Sequence, residues 1–332
     1  MQLRNFGRTG LQLSVLGFGC GAVGGLMVRG EAADQERAVA RALEAGVNYF
    51  DTAVLYGDGE SETNLGRILQ KLKPAGIVVA TKVRVPQADF GRIAEAVANS
   101  LEGSLTRLRL ERVDILHLHN PITEAGGGAA LSAGQVLEDV VPAFDRLRRQ
   151  GKIGFLGISA VGDTAALHRV IDSRAFDSAQ VVYNMLNPSA AGPLPADYPA
   201  QDYAGLFDHT AAAGVGVVGI RVLAGGALSG STERHPIAGA APEPIGSAVR
   251  YDADVDRARR LAPLVAEGFC ASLAEAATRF ALSHPAMGTI LVGMATPRQF
   301  EDALAAVRKG PLPQAALDRL AALRQAFAGE PR

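Results

Sequence analysis

Three stretches of this chain decide its fold, and they are Val47-Asn48-Tyr49-Phe50-Asp51, Ile77-Val78-Val79-Ala80-Thr81-Lys82 and Val113-Asp114-Ile115-Leu116-His117-Leu118-His119. Each stretch begins with apolar residues, as a buried parallel strand does, and ends with an ionisable side chain. Strands of a parallel α/β barrel direct their carboxyl ends to one mouth, where active sites form. We therefore expect Asp51, Lys82 and His119 to lie close together, with Tyr56 following Asp51.

Strand and helix patterns alternate along the rest of the chain. Five further strands are predicted, at 15–18, 153–158, 178–183, 215–220 and 288–292. Helices are predicted between strands, at 33–45, after an N-cap at Ser61, at 89–107, at 136–150 and after a capping box that begins at Ser272. Eight strands, mostly spaced roughly 25–40 residues apart, predict an α/β fold of the (β/α)8 TIM-barrel class. No linker divides the chain, so a single domain over 1–332 is expected.

Two further features concern the ends of this predicted barrel. The chain is expected to open with a β-hairpin, in which the segments 3–6 and 11–13 flank the turn Gly7-Arg8-Thr9-Gly10. Three connections are too long for simple turns, and they span 120–135, 186–199 and 224–251. All three follow predicted strands, so they lie at the same mouth, where long loops are usually functional or mobile.

Composition excludes several classes of protein. The hydrophobic fraction is 48% and the formal net charge is −1, without a block of like charges. These values argue against nucleic acid or an anionic membrane as the main partner. Neither a signal peptide nor a transmembrane segment is recognisable. The two cysteines, Cys20 and Cys270, show no metal-ligand spacing, and a reducing, cytoplasmic compartment is expected.

A glycine motif near the N-terminus permits two interpretations. The run Gly19-Cys20-Gly21-Ala22-Val23-Gly24 matches the G-x-G-x-x-G dinucleotide fingerprint and follows a predicted strand. A Rossmann turn would lead directly into a helix, and an acidic residue would follow about 20 residues later. In this chain the predicted helix does not follow the glycine motif directly, and Asp51 lies further from the motif than a Rossmann fold would place its acidic residue. A glycine loop that lets backbone approach a ligand is therefore favoured.

The chemistry of Lys82 and Tyr56 depends on Asp51. A lysine at the end of an apolar strand needs a carboxylate partner, and Asp51 on the neighbouring strand is the obvious one. A phenol titrates near 10, and a nearby ammonium favours the phenolate and lowers that pKa. Tyr56 could then protonate an oxyanion in one direction and deprotonate an alcohol in the other. A snorkelling lysine and a packing aromatic remain the alternatives.

His117 and His119 lie on the same face of their predicted strand, because side chains alternate along a strand. One of them could be a core histidine with its hydrogen bonds satisfied. The i, i+2 spacing of the two histidines also suggests a metal site. No third ligand is near them in the sequence, so no bound metal is expected. A Ser-His-Asp hydrolase is disfavoured because no G-x-S-x-G is present.

These residues resemble the aldo-keto reductase superfamily over most of the chain. The matching motifs are Gly7-Arg8-Thr9-Gly10, Leu16-Gly17-Phe18-Gly19, Phe50-Asp51-Thr52-Ala53 with Tyr56-Gly57, Ser61-Glu62 and Leu65-Gly66, then Thr81-Lys82, Asp114 through His119-Asn120-Pro121, and Gly151-Lys152-Ile153 through Gly157-Ile158-Ser159. The resemblance implies a (β/α)8 barrel that binds NAD or NADP without a Rossmann domain. It implies Tyr56 as general acid/base, Asp51 and Lys82 as its tuning pair, and His119 as the residue that orients the carbonyl of the substrate.

The resemblance also implies a set of cofactor contacts. Carboxamide contacts map to Ser159 and Gln180, and the ribose meets the backbone at Gly19 and Cys20. The remaining contacts fall at a pyrophosphate-clamping loop and an adenosine phosphate site, which include Arg221, Leu223, Gly225, Gly293, Thr296, Arg298 and Gln299.

Several positions depart from the family pattern. Ala160 stands where many members have asparagine, and Ile220 stands where an aromatic often stacks on the nicotinamide, a role that Tyr183 could take instead. Little positive charge surrounds Gly293 apart from Arg298, although a 2′-phosphate needs charge-assisted donors. This favours tolerance of NAD, or a preference for it, unless arginines from the clamp loop, Arg221, Arg234 or Arg250, supply the charge.

The function predicted from these residues is an NAD(P)(H)-dependent oxidoreductase that acts on a small-molecule carbonyl or alcohol, such as an aldehyde, a ketone or a sugar. The alternatives are a non-catalytic, cofactor-binding or regulatory barrel subunit and a lyase or isomerase on the same fold. Aromatic residues make up only 5% of the chain and tryptophan is absent, so an open or aliphatic pocket is expected. The sequence does not name the substrate, the direction of the reaction or the oligomeric state.

Overall fold

The strands of the protein were located in a computed structural model that describes residues 1–331. In chain order they are β1 (Leu3–Asn5), β2 (Gln12–Ser14), β3 (Leu16–Gly19), β4 (Tyr49–Asp51), β5 (Val78–Val83), β6 (Val113–Leu118), β7 (Ile122–Thr123), β8 (Leu131–Ser132), β9 (Ile153–Ala160), β10 (Ser178–Val182), β11 (Gly216–Ile220) and β12 (Met287–Gly293). Eight of these strands, β3 to β6 and β9 to β12, form a closed parallel barrel. Closure joins β12 to β3, with Ile290 opposite Leu16. The predicted (β/α)8 fold is confirmed.

Helices surround the barrel. They are α1 (Leu26–Arg29), α2 (Ala32–Glu44), α3 (Glu60–Leu72), α4 (Ile93–Leu108), α5 (Ala133–Gln135), α6 (Val141–Arg149), α7 (Thr164–Asp172), α8 (Leu206–Ala213), α9 (Tyr251–Arg259), α10 (Pro263–Ala266), α11 (Leu273–Leu282), α12 (Pro297–Arg308) and α13 (Gln314–Arg324). A π-helical turn at Val136–Val140 joins α5 to α6. None of the helices within residues 1–331 combines the length and the apolarity that a bilayer span requires.

The local predictions hold at most positions and fail at Ser61. All eight predicted barrel strands are present, with ends that differ by only a few residues. The helix predicted to start after Ser61 instead begins at Glu60, because Gly59 adopts a left-handed conformation (φ 90°) and ends the preceding turn. Ser272 does cap its helix, by accepting from the backbone N of Glu275. The carboxylate of Glu275 reaches Ala271 rather than Ser272, so the predicted box is incomplete.

Side-chain alternation places two different environments inside the barrel. Along β5, Val78 and Ala80 belong to an apolar interior cluster, and Lys82 follows them on the same face. Along β6, Ile115 belongs to the same cluster and His117 follows it. The interior is therefore apolar at the amino ends of the strands and polar at their carboxyl ends.

The predicted N-terminal hairpin is present, and it covers the amino end of the barrel. Strand β1 pairs antiparallel with β2, with Leu3 opposite Ser14. Phe6 and Leu13 are fully buried and join the interior apolar cluster, which Leu11 also contacts. This cover leaves the opposite mouth as the route by which polar ligands reach the interior polar groups.

The three long connections do lie at that mouth, after β6, β10 and β11. The first contains the parallel pair β7 and β8. The second contains a 3₁₀ turn at Ser189–Ala191, and the third contains 3₁₀ turns at Ala224–Ser229 and Pro236–Ala238. All three therefore carry local structure of their own.

Candidate active site

A buried ion pair joins the ends of β4 and β5 inside the mouth. The Nζ atom of Lys82 lies 2.5 Å from Oδ1 of Asp51 and donates to the backbone oxygen of Thr52 at 2.8 Å. The side chains of Lys82 and Asp51 are 0% and 4% exposed. Thus Lys82 is not a snorkelling residue at a strand end, because its ammonium group is shielded from solvent and has fixed partners.

Burial and charge pairing act in opposite directions on this pair. Burial by itself lowers the pKa of Lys82, but Asp51 and Tyr56 outweigh burial and the pKa of Lys82 is raised. Burial also raises the pKa of Asp51, and the opposing effects of Lys82, Gln180 and Tyr49 offset this rise only in part. Because each charge is the main compensation for the other, removing one leaves an uncompensated buried charge.

The phenol of Tyr56 lies above this pair. The Lys82 Nζ atom is 4.8 Å from the centre of the Tyr56 ring, and the ring of His119 meets it edge-on at a centroid distance of 5.9 Å. Burial raises the pKa of Tyr56, Lys82 lowers it and Asp51 raises it, with a net upward shift. Lys82 acts in the predicted direction, but the predicted net fall in the Tyr56 pKa is wrong, because desolvation of the phenolate prevails.

Two histidines at the end of β6 occupy different depths, because His117 lies within the strand and His119 follows its last residue. Burial, together with the positive charges of Lys82 and Arg84, lowers the pKa of His119 to about 3. Burial also lowers the pKa of His117, whose Nε2 atom lies 3.0 Å from Oγ of Ser178 in the barrel interior. His117 is thus a core histidine, but its hydrogen bonds are not all satisfied as predicted, because its Nδ1 atom has no partner within residues 1–331. His119 is partly exposed beside Tyr56. No metal-ligating group of three or more side chains occurs in residues 1–331.

Gln180 connects the ion pair to the far side of the mouth. Its Nε2 atom donates to Oδ2 of Asp51 at 2.6 Å, and the Ser159 hydroxyl makes a long contact of 3.5 Å with its Oε1 atom. The amide nitrogen is therefore committed to Asp51. The Gln180 oxygen and the Ser159 hydroxyl remain the groups that can contact a ligand here.

Sequence reasoning left out a buried network that supports the site from below. The Ser61 hydroxyl donates to the backbone oxygen of Cys20 at 2.9 Å and lies 2.8 Å from the Thr52 hydroxyl. The Thr81 hydroxyl donates to the carboxylate of Glu62 at 2.5 Å. The motif Ser61-Glu62 was recognisable in the sequence. Its role as a hydrogen-bonding support becomes visible only when β3, β4 and β5 lie side by side.

The predicted pyrophosphate loop follows β11 and is linked to the loop after β3, two strands away in the barrel. Arg234 donates to the backbone oxygen of Gly225 at 2.8 Å and to that of Val23 at 3.0 Å. Arg221 has a φ of 55°, and its side chain donates to the backbone oxygen of Glu243 at 3.1 Å. Leu223 lies between Arg221 and Arg234 in the sequence. The segment 224–251 therefore reaches across to the loop that follows β3.

The predicted adenosine phosphate site lies at the end of β12. Thr296 accepts from the backbone N of Gln299 and caps α12, while Oε1 of Gln299 accepts from the backbone N of Ala295 at 2.6 Å. Both side chains are therefore engaged in capping. Gly293 and Arg298 are exposed next to them.

Close packing brings the glycine loop after β3 against this site. A β-carbon at Gly24 would lie 2.3 Å from the backbone N of Met294, so only glycine allows the approach. The backbone N of Leu26 donates to the oxygen of Met294 at 3.1 Å. The predicted role of these glycines in close backbone approach is thus seen at Gly24, where the neighbour is another loop of the chain.

Three predicted positions have different surroundings from those proposed. The ring of Tyr183 stacks on Phe280 at 4.8 Å and meets Phe207 edge-on at 5.1 Å, within the outer helical layer. It cannot also stack on a ligand in the mouth, so that alternative is wrong. Arg250 pairs with Asp252 in its own segment, and Arg234 is occupied by backbone oxygens, so neither provides a free guanidinium for a 2′-phosphate.

The residues present fit a nicotinamide cofactor by two observations. The Nδ1 atom of His119 is buried and has no hydrogen-bond partner in the described part of the chain. A β-carbon at Gly21 would come 4.0 Å from the Cζ atom of Tyr56, so glycine keeps the space beside the phenol open. With the available Ser159 hydroxyl and Gln180 oxygen, the mouth offers a polar cradle next to a proton donor.

A parallel barrel with a buried lysine–aspartate pair, a tyrosine and a neutral histidine at its mouth belongs to the class of barrel oxidoreductases. The model of the Aldo/keto reductase family matches residues 15–325, and the chain belongs to this family. Members of the family carry out NAD(P)-dependent oxidoreduction of carbonyl compounds.

Two known proteins illustrate the relationship. The chain is 30% identical to L-galactose dehydrogenase from Arabidopsis thaliana over 311 residues, which is 92% of this chain and 88% of that protein. Its structure is similar to that of aldo-keto reductase AKR11C1 from Bacillus halodurans (holo form), with a TM-score of 0.71 and 23% identity. That match covers 100% of this chain and 98% of the other, and it shows the fold.

Proposed function

We propose that this protein is an NAD(P)(H)-dependent oxidoreductase that interconverts a carbonyl and an alcohol, with Tyr56 as general acid/base. The observation that carries this proposal is the arrangement of Tyr56 above the buried Asp51–Lys82 pair, with neutral His119 beside it. The substrate is an aldehyde, a ketone or a sugar. The whole chain acts as one barrel domain in the cytoplasm.

The proton chemistry follows from this arrangement. In reduction, the Tyr56 hydroxyl donates its proton to the carbonyl oxygen as negative charge develops there. Lys82 stabilises the resulting phenolate, and Asp51 keeps Lys82 charged and in position. In oxidation, the phenolate accepts the proton of the alcohol. His119 is neutral at physiological pH, so it orients the substrate oxygen by hydrogen bonding without adding charge.

The cofactor contacts follow the family pattern, with one adjustment. A nicotinamide bound here would supply or accept the hydride. Ser159 and the oxygen of Gln180 would hold its carboxamide, because the Gln180 nitrogen is bound to Asp51. The other contacts are assigned to backbone and side-chain groups at the mouth, namely Gly19, Cys20, Arg221, Leu223, Gly225, Gly293, Thr296, Arg298 and Gln299.

A preference for NAD(H), or at least tolerance of it, is part of the proposal. Thr296 and Gln299 are engaged in capping α12, and Arg298 is the cation that remains at this site. A 2′-phosphate gains most from several charge-assisted hydrogen bonds. If NAD is preferred, oxidation of an alcohol or a lactol is the favoured direction, and the relationship to an L-galactose dehydrogenase supports a sugar as substrate.

Binding and turnover measurements test the proposal in one experiment. NADH and NADPH are titrated by the fluorescence of the reduced nicotinamide, and turnover is assayed with a panel of aldehydes, ketones and sugars. We expect binding, turnover and an NADH affinity at least equal to that for NADPH. Tenfold tighter binding of NADPH, about 1.4 kcal/mol, would contradict the NAD preference.

Three further outcomes would contradict the function itself. If neither cofactor binds, the assignment of a cofactor site is wrong. If a cofactor binds tightly but no member of the panel is turned over, a cofactor-binding regulatory subunit replaces the enzyme as the better interpretation. Turnover without added cofactor would indicate a lyase or an isomerase.

A further inference from the structure

An arginine that the proposed mechanism does not use lies directly above the catalytic lysine. Arg84 follows the last residue of β5, and alternation places it on the same inward face as Lys82. Strand register pairs Lys82 with His117, so the next inward pair along the two strands is Arg84 with His119. The backbone N of His119 donates to the oxygen of Val83 at 2.7 Å, which continues this register beyond the strand ends.

The turn that carries Arg84 is held by a buried asparagine. Asn120 is 0% exposed, and its Oδ1 atom accepts from the backbone N of Val85 at 2.8 Å. Its Nδ2 atom donates to the backbone oxygen of Val85 at 2.8 Å and to that of Ala129 at 2.9 Å. The backbone N–H and C=O groups of Val85, which follows Arg84, are therefore both fixed by hydrogen bonds. Pro86 restricts the backbone further. Arg84 thus projects from an anchored position.

The Arg84 guanidinium carries an uncompensated charge. It is exposed and forms no ion pair or hydrogen bond within residues 1–331. Its neighbours do not offset it, because Asp51 is neutralised by Lys82 and His119 is uncharged. By contrast, Arg92 in the same connection is paired with Asp89 at 2.8 Å. Arg84 is therefore an unpaired cation next to His119.

We infer that Arg84 determines specificity by binding an anionic group, a carboxylate or a phosphate, that the substrate carries away from its reacting carbon. A guanidinium fork suits either group, which it contacts through two parallel hydrogen bonds. Arg84 follows β5, lies next to His119 and is on the opposite side of the barrel from Arg221 on the β11 loop, and this position assigns Arg84 to the substrate rather than to the cofactor. The inference rests on the proposed function, because it names the substrate class of the same site.

Matched substrate pairs test the inference. The ratio of kcat/KM for the charged member to that for the neutral member is measured with 4-carboxybenzaldehyde and benzaldehyde, and with glyceraldehyde 3-phosphate and glyceraldehyde. We expect a ratio above one for at least one pair. Arg84→Gln should lower that ratio about 10- to 100-fold, mainly through KM, and Arg84→Lys should lower it less. The substrate pair whose kcat/KM ratio falls in Arg84→Gln shows whether Arg84 binds a carboxylate or a phosphate.

Arg92→Gln is the matched control, because it removes a cation from the same connection without touching Arg84. This variant should leave the ratio as in the wild type. The inference is overturned if the wild-type ratio is one or below for both pairs, or if Arg84→Gln and Arg92→Gln change it equally.

Calorimetric binding separates failure of the inference from failure of the proposed function. Terephthalate and inorganic phosphate are titrated into wild type, Arg84→Gln and Arg92→Gln, without any requirement for turnover. If no aldehyde reacts but terephthalate or phosphate binds and Arg84→Gln alone abolishes binding, the anion site stands and the proposed function fails. If the aldehydes react and neither anion binds through Arg84, the inference fails and the proposed function stands.

Discussion

The two sides of the barrel mouth are built on different physical principles. On the half proposed to be catalytic, formed by β4, β5 and β6 and called the catalytic half below, the Asp51–Lys82 pair is buried and has side-chain and backbone partners inside the barrel. On the half proposed to bind the cofactor, formed by β11, β12 and the segment 224–251 and called the cofactor half below, the long contacts run from guanidinium groups such as Arg234 to backbone oxygens of loops.

This difference implies that one half of the mouth is held rigidly, whereas the other half can open. Breaking a buried ion pair costs about 3–5 kcal/mol, whereas a hydrogen bond from an accessible side chain contributes about 0.5–1.5 kcal/mol. The catalytic half is therefore expected to stay in place throughout turnover. The cofactor half is expected to open at low cost, as release of a nucleotide requires.

The largest predicted effect tests the catalytic half through its proton donor. Tyr56→Phe should lower kcat about 10²- to 10⁴-fold with little change in cofactor affinity, because it removes only the exchangeable proton. Steady-state kinetics and NADH titration measure the two quantities. As a control, Tyr198→Phe removes a buried hydroxyl that donates to the backbone oxygen of Leu186 within the connection 186–199 and is not hydrogen-bonded to Asp51, Lys82 or His119, and turnover should persist. Wild-type kcat in Tyr56→Phe would refute the assignment.

The second prediction breaks the buried pair. Lys82→Met should reduce the free energy of unfolding by about 3–5 kcal/mol, because Asp51 is left charged and buried. The Tyr56 pKa should rise further, since its cationic neighbour is lost. Oxidation needs the phenolate and reduction needs the phenol, so at pH 9 the variant should lose more of its oxidation rate than of its reduction rate.

Chemical denaturation and rate measurements in both directions check these expectations. The double variant Asp51→Asn with Lys82→Met should recover part of the lost stability, because it leaves no unpaired charge. Equal losses of the two rates at pH 9 would argue against tuning of Tyr56 by Lys82.

The third prediction opens the cofactor half. Arg234→Gln removes the links to Gly225 and Val23, so the dissociation constant for NADH should increase about tenfold, mainly through faster release. The melting temperature of the free protein should change little. Arg250→Gln, which loses only a local pair with Asp252, is the control and should bind as the wild type does. Stopped-flow release rates compare the two, and identical rates would remove the structural role assigned to Arg234.

The smallest predicted effect concerns the adenosine phosphate site. Arg298 is exposed, so Arg298→Gln should weaken NADPH binding only about threefold and leave NADH binding unchanged. Arg308→Gln, at the other end of α12, provides the control. A loss of tenfold or more would mean that Arg298 is the main reader of a 2′-phosphate, and the NAD preference would then be abandoned.

Most of the fold follows from local sequence patterns. Apolar runs at regular spacing located all eight barrel strands, because buried parallel strands need continuous hydrophobic residues. The convergence of Asp51, Lys82 and His119 also follows, since parallel strands end at one mouth. The helix start at Glu60 was missed, because the left-handed turn at Gly59 overrides the capping preference of Ser61.

The barrel, the position of its mouth and the identity of the charged residues there can be read from the amino-acid sequence, because these depend on side-chain alternation and on strand order. The balance of those charges, by contrast, is set by the three-dimensional packing of the chain. The upward shift of the Tyr56 pKa, the commitment of the Gln180 nitrogen to Asp51 and the unpaired charge of Arg84 all depend on distances between residues far apart in the chain. Desolvation and Coulomb energies depend on burial and separation in space, and a pattern along one chain contains neither.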